Sequence, residues 1–285
     1  MRFVPCPIFI IVNGECFPSR SQTQFGNEKG NRELVLLEVK NLVKVYDNKV
    51  RALDGVSFKV EPGQFLAVVG LSGSGKSTLL RCINRLIEPT SGQIIWNGVD
   101  VTAASSEELR RIRRRIGMIF QHFNLVSRSP VLTNTLAGRL GYTNPLWSLI
   151  NRFPAEDVRL ALENLERVGI RDKAYVRADE LSGGQQQRVG IARALMQNPE
   201  ILLADEPVAS LDPVLAHSIM KILKQLNQED GITVICSLHF LDLVQRYADR
   251  AIALNQGQLV FDGLPHEIDD HRFREIYGKD AERIG

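Results

Sequence analysis

Cysteine is scarce and scattered. Cys6, Cys16, Cys82 and Cys236 form no C-x-x-C pair. That argues against a zinc site or a disulfide framework and fits a reducing compartment. Long apolar runs are missing too: no stretch of about 18 or more apolar residues is present to span a bilayer. Neither charge sign is in clear excess, with 35 Lys and Arg against 33 Asp and Glu, so the chain as a whole lacks the electrostatic footprint of a nucleic-acid binder. What remains is ordinary globular composition, 44% hydrophobic and 24% charged over 285 residues. That is enough for one large domain or two small ones.

The most informative stretch is Gly70-Leu71-Ser72-Gly73-Ser74-Gly75-Lys76-Ser77, followed by Thr78. It fits G-x-x-x-x-G-K-[ST] at every fixed position. Gln64 to Val69 before it is a short apolar run that reads as a buried parallel strand. After it, Leu79, Leu80, Ile83 and Ile87 share one helical face, and Pro89 is the expected stop. A glycine-rich turn between strand and helix lets backbone N–H groups converge on an anionic oxygen, and the helix N-terminus adds positive potential. Lys76 then reaches β- and γ-phosphates, and the Ser77 hydroxyl suits Mg²⁺.

Residues 1–34 read differently from the rest. Pro5 and Pro7 interrupt an apolar opening, and residues 19–32 are polar. As a signal peptide the segment is poor: its basic region is Arg2 alone, no small-x-small cleavage site follows, and Glu15 precedes Cys16. It is expected to be a flexible extension or the result of a start assigned too early.

The ordered chain then alternates strand and helix signals. Residues 37–40 and 56–60 alternate as half-wet strands, with Tyr46 between them. Tyr46 fits either an aromatic that stacks on a base or a half-buried structural tyrosine. Residues 92–98 read as a strand ending in an Asn97-Gly98 hairpin turn. Ser105 and Glu108 form a capping box for a helix to Arg115. The run Arg110 to Arg115 reads as a solvated helix face rather than a nucleic-acid patch, having no interleaved aromatics. Residues 116–121 make a strand ending on Gln121, and residues 124–180 turn helical. Leu181-Ser182-Gly183-Gly184 opens a further helix, a second possible anion site. Residues 200–207 form a buried strand ending in Asp205 and Glu206. Strand alternation sends Asp205 toward a metal and Glu206 elsewhere. Residues 210–213 read as a turn. A strand at 231–237 ends just before His239, at the edge where parallel sheets bind ligands. Residues 251–261 form a hairpin, and 265–278 a short polar helix.

Taken together, these pieces resemble the ATP-binding subunit of ABC transporters over roughly residues 37 to 278. GLSGSGKST, Gln121, LSGGQQQR, ILLADEP, Ser210-Leu211-Asp212 and His239 stand in the family's order as Walker A, Q-loop, signature, Walker B, D-loop and switch histidine. Tyr46 matches the A-loop aromatic. The resemblance implies an α/β fold: a P-loop NTPase core with an antiparallel β subdomain and an inserted α-helical subdomain at about 122–180, within a domain spanning 35–280. It implies ATP and Mg²⁺ as ligands and a head-to-tail homodimer. ATP would lie between residues 70–78 of one copy and Ser182, Gly183 and Gly184 of the other. Ser77 and Asp205, with Gln121, would serve Mg²⁺; Glu206 would polarise the attacking water and His239 contact the γ-phosphate. Partners would be an integral membrane permease and, indirectly, an external substrate-binding protein. No nucleic acid is expected, and the chain would sit peripherally on the cytoplasmic face of the inner membrane.

A narrower resemblance, in residues 123–141, 205–213 and 231–239, is to the ATPase of phosphonate importers. ATPases of amino-acid or lipoprotein transporters share the remaining motifs and stay as alternatives. An ABC ATPase acting on DNA is disfavoured, because only residues 122–180 separate Gln121 from the signature and leave no room for a long coiled coil. One acting on ribosomes usually carries two cassettes, whereas this chain has one. A regulatory module that never hydrolyses ATP would not need Glu206 and His239. Residues 122–150 are expected to help receive a permease helix, although Leu146, Trp147, Leu149 and Ile150 equally suit subdomain core.

Overall fold

The structure is a computed structural model. It describes residues 35–47, 49–142 and 153–277, and the backbone at 9–12 and 15–18. The chain divides into two units, Met1–Glu33 and Leu34–Gly285. In the first, strands β1 (Phe9–Val12) and β2 (Glu15–Pro18) pair antiparallel, Ile11 opposite Cys16. The expectation of flexibility for the rest of 1–34, and the assignment of Leu146, Trp147, Leu149 and Ile150, fall outside the described residues, as do residues 278–280.

In the second unit, hydropathy sorts the strands into two sheets. β5 (Phe65–Val69), β8 (Ile116–Ile119), β9 (Ile201–Ala204) and β10 (Thr233–Ser237) are buried at every position. Strands with both faces apolar need cover on both sides, which is the environment of a parallel sheet. They stand with β11 (Arg250–Asn255) and β12 (Gln258–Gly263) in the order β12-β11-β5-β10-β9-β8. The β11–β12 pair is antiparallel and the other neighbours are parallel. By contrast β4 (Arg51–Val60) alternates exposed and buried residues. It joins β3 (Leu37–Val45), β6 (Ser91–Trp96) and β7 (Val99–Asp100) in an antiparallel sheet. The turns at Asn97-Gly98 and Gln256-Gly257 have positive φ at both central residues, the two-residue geometry that follows strand twist.

Alternation along β5 divides the core in two. Phe65, Ala67 and Val69 face a cluster that includes Leu165, Val189, Ile219 and Leu223. Leu66 and Val68 face one that includes Leu37, Val56, Leu79 and Ile94. The first is capped by helices, among them α5 (Gly183–Leu195) and α6 (Pro213–Asp230). The second packs against the antiparallel sheet and α1 (Lys76–Ile83). Between β8 and α5 lie α3 (Val131–Leu136) and α4 (Ala155–Arg167), after α2 (Ser106–Arg113) earlier in the chain. Leu136, Ala161 and Met196 join these helices to the α5 region in a small core of their own. The chain closes with α7 (Leu241–Tyr247) and α8 (Asp270–Tyr277).

Two local readings are corrected. The first helix stops at Ile83, not Ile87. Arg85 takes φ 50°, its N–H donates to Cys82 O, and the Leu86 N–H donates to Arg81 O. This is the paired closure of a Schellman end, with arginine in glycine's usual place. Arg85 is held there because its guanidinium bonds the Glu88 carboxylate and the carbonyls of Val101 and Ala104. Second, more follows the turn expected at 210–213 than was read there: its last residue, Pro213, opens an 18-residue helix, α6. The Asp212 side chain accepts the Leu215 N–H at 3.0 Å, Pro213 fills the first helical turn and Gly231 closes the end at φ 67°.

Candidate functional site

Register brings the functional segments to one edge. Ser237 pairs with Val68, and Ala204 pairs with Cys236 on one side and Ile119 on the other. The chain segments leaving β5, β8, β9 and β10 therefore emerge side by side, at the carboxyl ends where α/β sheets bind ligands. They carry residues 70–75, Gln121, Asp205–Glu206 and His239.

The loop after β5 depends on glycine geometry. Gly70 has φ 142°, and a Cβ there would strike the Leu254 carbonyl and lie 2.7 Å from Ser74 Oγ. Gly73 has φ 80° with nothing within 4 Å of its Cβ position, so the loop curls around open space. Helix α1 begins at Gly75 with no side-chain cap. In α2 and α5 the first N–H groups are satisfied by Ser105–Glu108 and Ser182–Gln185 capping boxes. The α1 N-terminus thus keeps its donors for an oxyanion. Lys76 is buried, and its Nζ donates to Gly70 O and Leu71 O, each at 2.9 Å. Burial pushes its pKa down, opposed by the nearby carboxylates, first Glu206, whose Oε1 lies 3.8 Å away.

Ser77 and Asp205 meet directly: Ser77 Oγ donates to Asp205 Oδ1 at 2.6 Å. Asp205 is fully buried and its Oδ2 accepts from Arg81 at 3.1 Å. A hydroxyl and a carboxylate at the loop are the hard oxygen donors that Mg²⁺ takes beside phosphate oxygens. Among the described residues no group of three or more His, Cys, Asp or Glu is placed to hold a metal. Glu206 turns the other way, and its Oε1 lies 2.6 Å from His239 Nε2.

That divergence has a different cause from the strand alternation anticipated. β9 ends at Ala204, and Glu206 sits at φ 47°. The Glu206 N–H donates to Ser237 Oγ at 2.8 Å. Ser237, at the end of β10, thereby fixes an unfavourable backbone and points the carboxylate at His239.

Tyr46 lies past the end of β3, its hydroxyl 3.3 Å from Thr78 Oγ1 and Lys44 Nζ 5.1 Å over its ring. One face of the loop thus carries an aromatic that is 37% exposed. Gln121 stands two residues beyond β8 and is half-buried. Ser182, Gly183 and Gly184 open α5 elsewhere: among the described residues no hydrogen bond or ion pair joins them to residues 70–78. Ser182 Oγ accepts the Gln185 N–H at 3.4 Å, and Gly184 packs on Leu215.

Three contributors escaped the sequence reading. Arg81 is one helical turn beyond Ser77, so spacing alone put it on the same face. Ser237 ends a strand at the ligand edge. Arg193 binds the turn after Gln121 from α5; no local pattern marks it, because its partners are carbonyls about 70 positions away.

Comparison with known proteins accords with this geometry. Residues 53–209 match the family model described as ABC transporter. The chain is 54% identical over 248 residues to "Phosphonates import ATP-binding protein PhnC" of Bacillus thuringiensis subsp. konkukian, covering 87% of this chain and 96% of that one. The protein of the same name in Bdellovibrio bacteriovorus is 54% identical over 250 residues, with the same coverage. Among solved structures, a dimeric post-hydrolysis ATP-binding cassette bound to ADP and Pi superposes with TM-score 0.71 at 35% identity, covering 80% of this chain and 98% of that one. An ABC transporter cassette in its ADP conformation gives TM-score 0.75 at 33% identity, covering 85% and 98%. The uncapped loop, the paired carboxylates at the sheet edge and these matches agree: the chain belongs to the ABC transporter family, as an ATP-binding cassette.

Proposed function

We propose that this chain is the ATP-hydrolysing subunit of a phosphonate importer, working through a separate membrane permease. The observation that carries the substrate class is the 54% identity, over nearly the whole length of the relatives, to proteins named for phosphonate import. In this reading two copies pair head to tail on the cytoplasmic face of the inner membrane. An external binding protein delivers phosphonate to the permease, which selects it.

The residues divide the work as follows. Tyr46 stacks on the adenine. The N–H groups of Gly70, Leu71, Ser72, Gly73, Ser74 and Gly75, with those of Lys76, Ser77 and Thr78, wrap the phosphates. The Lys76 ammonium leaves its two carbonyls for phosphate oxygens, a stronger charge-assisted partner. Mg²⁺, when bound, neutralises charge on the phosphates; Ser77, Asp205 and Gln121 would hold it. Glu206 accepts a hydrogen bond from the attacking water and draws its proton. His239, already bonded to that carboxylate, holds it in place and faces the γ-phosphate. Ser182, Gly183 and Gly184 of the second copy close the site with a helix N-terminus. Catalysis is chiefly positioning and charge neutralisation.

Reconstitution with its permease and a phosphonate-binding protein tests the substrate class. Phosphonates are expected to stimulate ATP turnover above the level with phosphate or phosphite, and amino acids to have no effect. Stimulation by amino acids alone would overturn the assignment.

A further inference from the structure

One face of α5 is shaped around the turn that follows Gln121. Gly183, Gly190 and Arg193 are spaced by seven and three residues, so they lie on one side of the helix. A Cβ on Gly183 would lie 3.8 Å from the Phe123 ring, and one on Gly190 would lie 4.0 Å from Phe123 O. A methyl at either position would sit at ordinary van der Waals distance, so the turn lies within contact range of this helix face. Below them, the Arg193 guanidinium donates to Phe123 O at 2.7 Å and to Asn124 O at 2.6 Å.

The gripped residues are the unusual ones. Phe123 has φ 57° and Asn124 has φ 49°. Two successive left-handed residues, one of them bulky, do not hold themselves without outside bonds. Arg193 is only partly exposed, and burial pushes the pKa of its guanidinium down. Such a cation is expected to have a carboxylate partner. The hydrogen bonds described for it go instead to two adjacent carbonyls, which a planar fork of donors suits.

We infer that Arg193 is a positioning residue for ATP hydrolysis: it clamps the strained turn behind Gln121 to the helix whose N-terminus carries Ser182, so that engaging one nucleotide site at Ser182 adjusts Gln121 at the other. This rests on the role proposed above for Gln121. The α5 helix, 13 residues from Gly183 to Leu195, is the rigid connection. Its first residues meet the second copy, and a residue three turns later holds the chain's own turn.

The test uses the purified full chain. Arg193→Lys keeps the charge and loses the fork; Arg193→Met loses both. In hydrogen exchange, the amides of residues 121–126 are expected to exchange about tenfold faster in either variant, with the strands of the parallel sheet unchanged. In steady-state hydrolysis, kcat is expected to fall about ten- to hundredfold while KM for ATP stays within about twofold, as for misplacement of a group in the transition state. If Arg193 acts through Gln121, the double variant with Gln121→Ala is no slower than Gln121→Ala alone. Unchanged exchange at 121–126, or losses that multiply in the double variant, would overturn the clamp. Should Arg193→Met fail to fold, Arg193→Lys carries both measurements. Failure of the Gln121 role shows up separately: Gln121→Ala by itself would then hydrolyse ATP at the wild-type rate.

Discussion

Glu206 holds a backbone conformation that glutamate rarely adopts, and two neighbours account for it. Ser237 Oγ accepts its N–H and His239 Nε2 meets its carboxylate. Asp205, one residue earlier, is fully buried against Ser77 and Arg81. Two adjacent acids are thereby given different surroundings, as the proposed roles, one at a cation and the other at a water, require. Glu206→Gln keeps the shape and most hydrogen bonds but removes the base. We expect ATP turnover to fall by about 10²-fold or more, with ATP binding kept and an ATP-bound dimer accumulating in gel filtration. Turnover close to wild type would remove Glu206 from the chemistry. At this scale the sequence places these residues at one edge of the sheet but does not say how each is held. The motif put both acids at the sheet edge, but strand periodicity ends at Ala204 and cannot explain a side chain set by a left-handed residue. Ser237 went unnoticed because a serine at a strand end carries no pattern of its own.

Helix starts show how the same local device serves two ends. Ser105 caps α2 and Ser182 caps α5, each in a reciprocal box with the residue three positions on. Loss of such a cap costs about 1 kcal/mol. Ser105→Ala is expected to lower stability by about that amount, read in urea titration, and to leave ATP turnover unchanged. Ser182→Ala is expected to cost a similar amount and also to weaken ATP-driven dimerisation severalfold, since an exposed cap serine is proposed to touch the second copy's nucleotide. Equal effects of the two substitutions on dimerisation would mean that Ser182 is only a cap. The Ser105–Glu108 box was legible because its signal spans four residues, whereas at Ser182 only the helix start was expected and the reciprocal bond with Gln185 is the structure's addition. The end of α1 was not legible, because it depends on Arg85 bonding the carbonyls of Val101 and Ala104, 16 and 19 residues away. The bounds of α6 were written in the sequence, Asp212 and Pro213 at its start and Gly231 at its end.

For the whole cassette, period and burial separate the sheets: continuous apolar strands are covered on both faces and alternating ones on one. Strand order was not legible, since β10 pairs on one side with β5, Val234 opposite Phe65 far back in the chain, and on the other with β9, Val234 opposite Leu202. That order matters because it collects four loops at one edge. A head-to-tail pair would bring Ser182 of each copy to the phosphate loop of the other, and this relation can be measured directly. Ser72 and Ser182 are both exposed. Cys82 and Cys236 are buried, with the Cys82 thiol pushed up to about 12 by desolvation and that of Cys236 also raised, so neither is a reactive thiolate near neutral pH. With Cys6 and Cys16 replaced by serine, Ser72→Cys and Ser182→Cys can be made as two separate chains. A short bis-maleimide is expected to join them only when the two are mixed and ATP is present, using the Glu206→Gln background to keep the dimer closed. In such a reciprocal pair Ser72 of one copy meets Ser182 of the other and neither meets itself, so each chain carrying one introduced cysteine should stay monomeric on denaturing gels. Crosslinking of Ser182→Cys to itself would instead mean that the two α5 helices meet across a symmetric face. The phosphate loop would then be completed within its own chain, and the division of the site between two copies would be wrong.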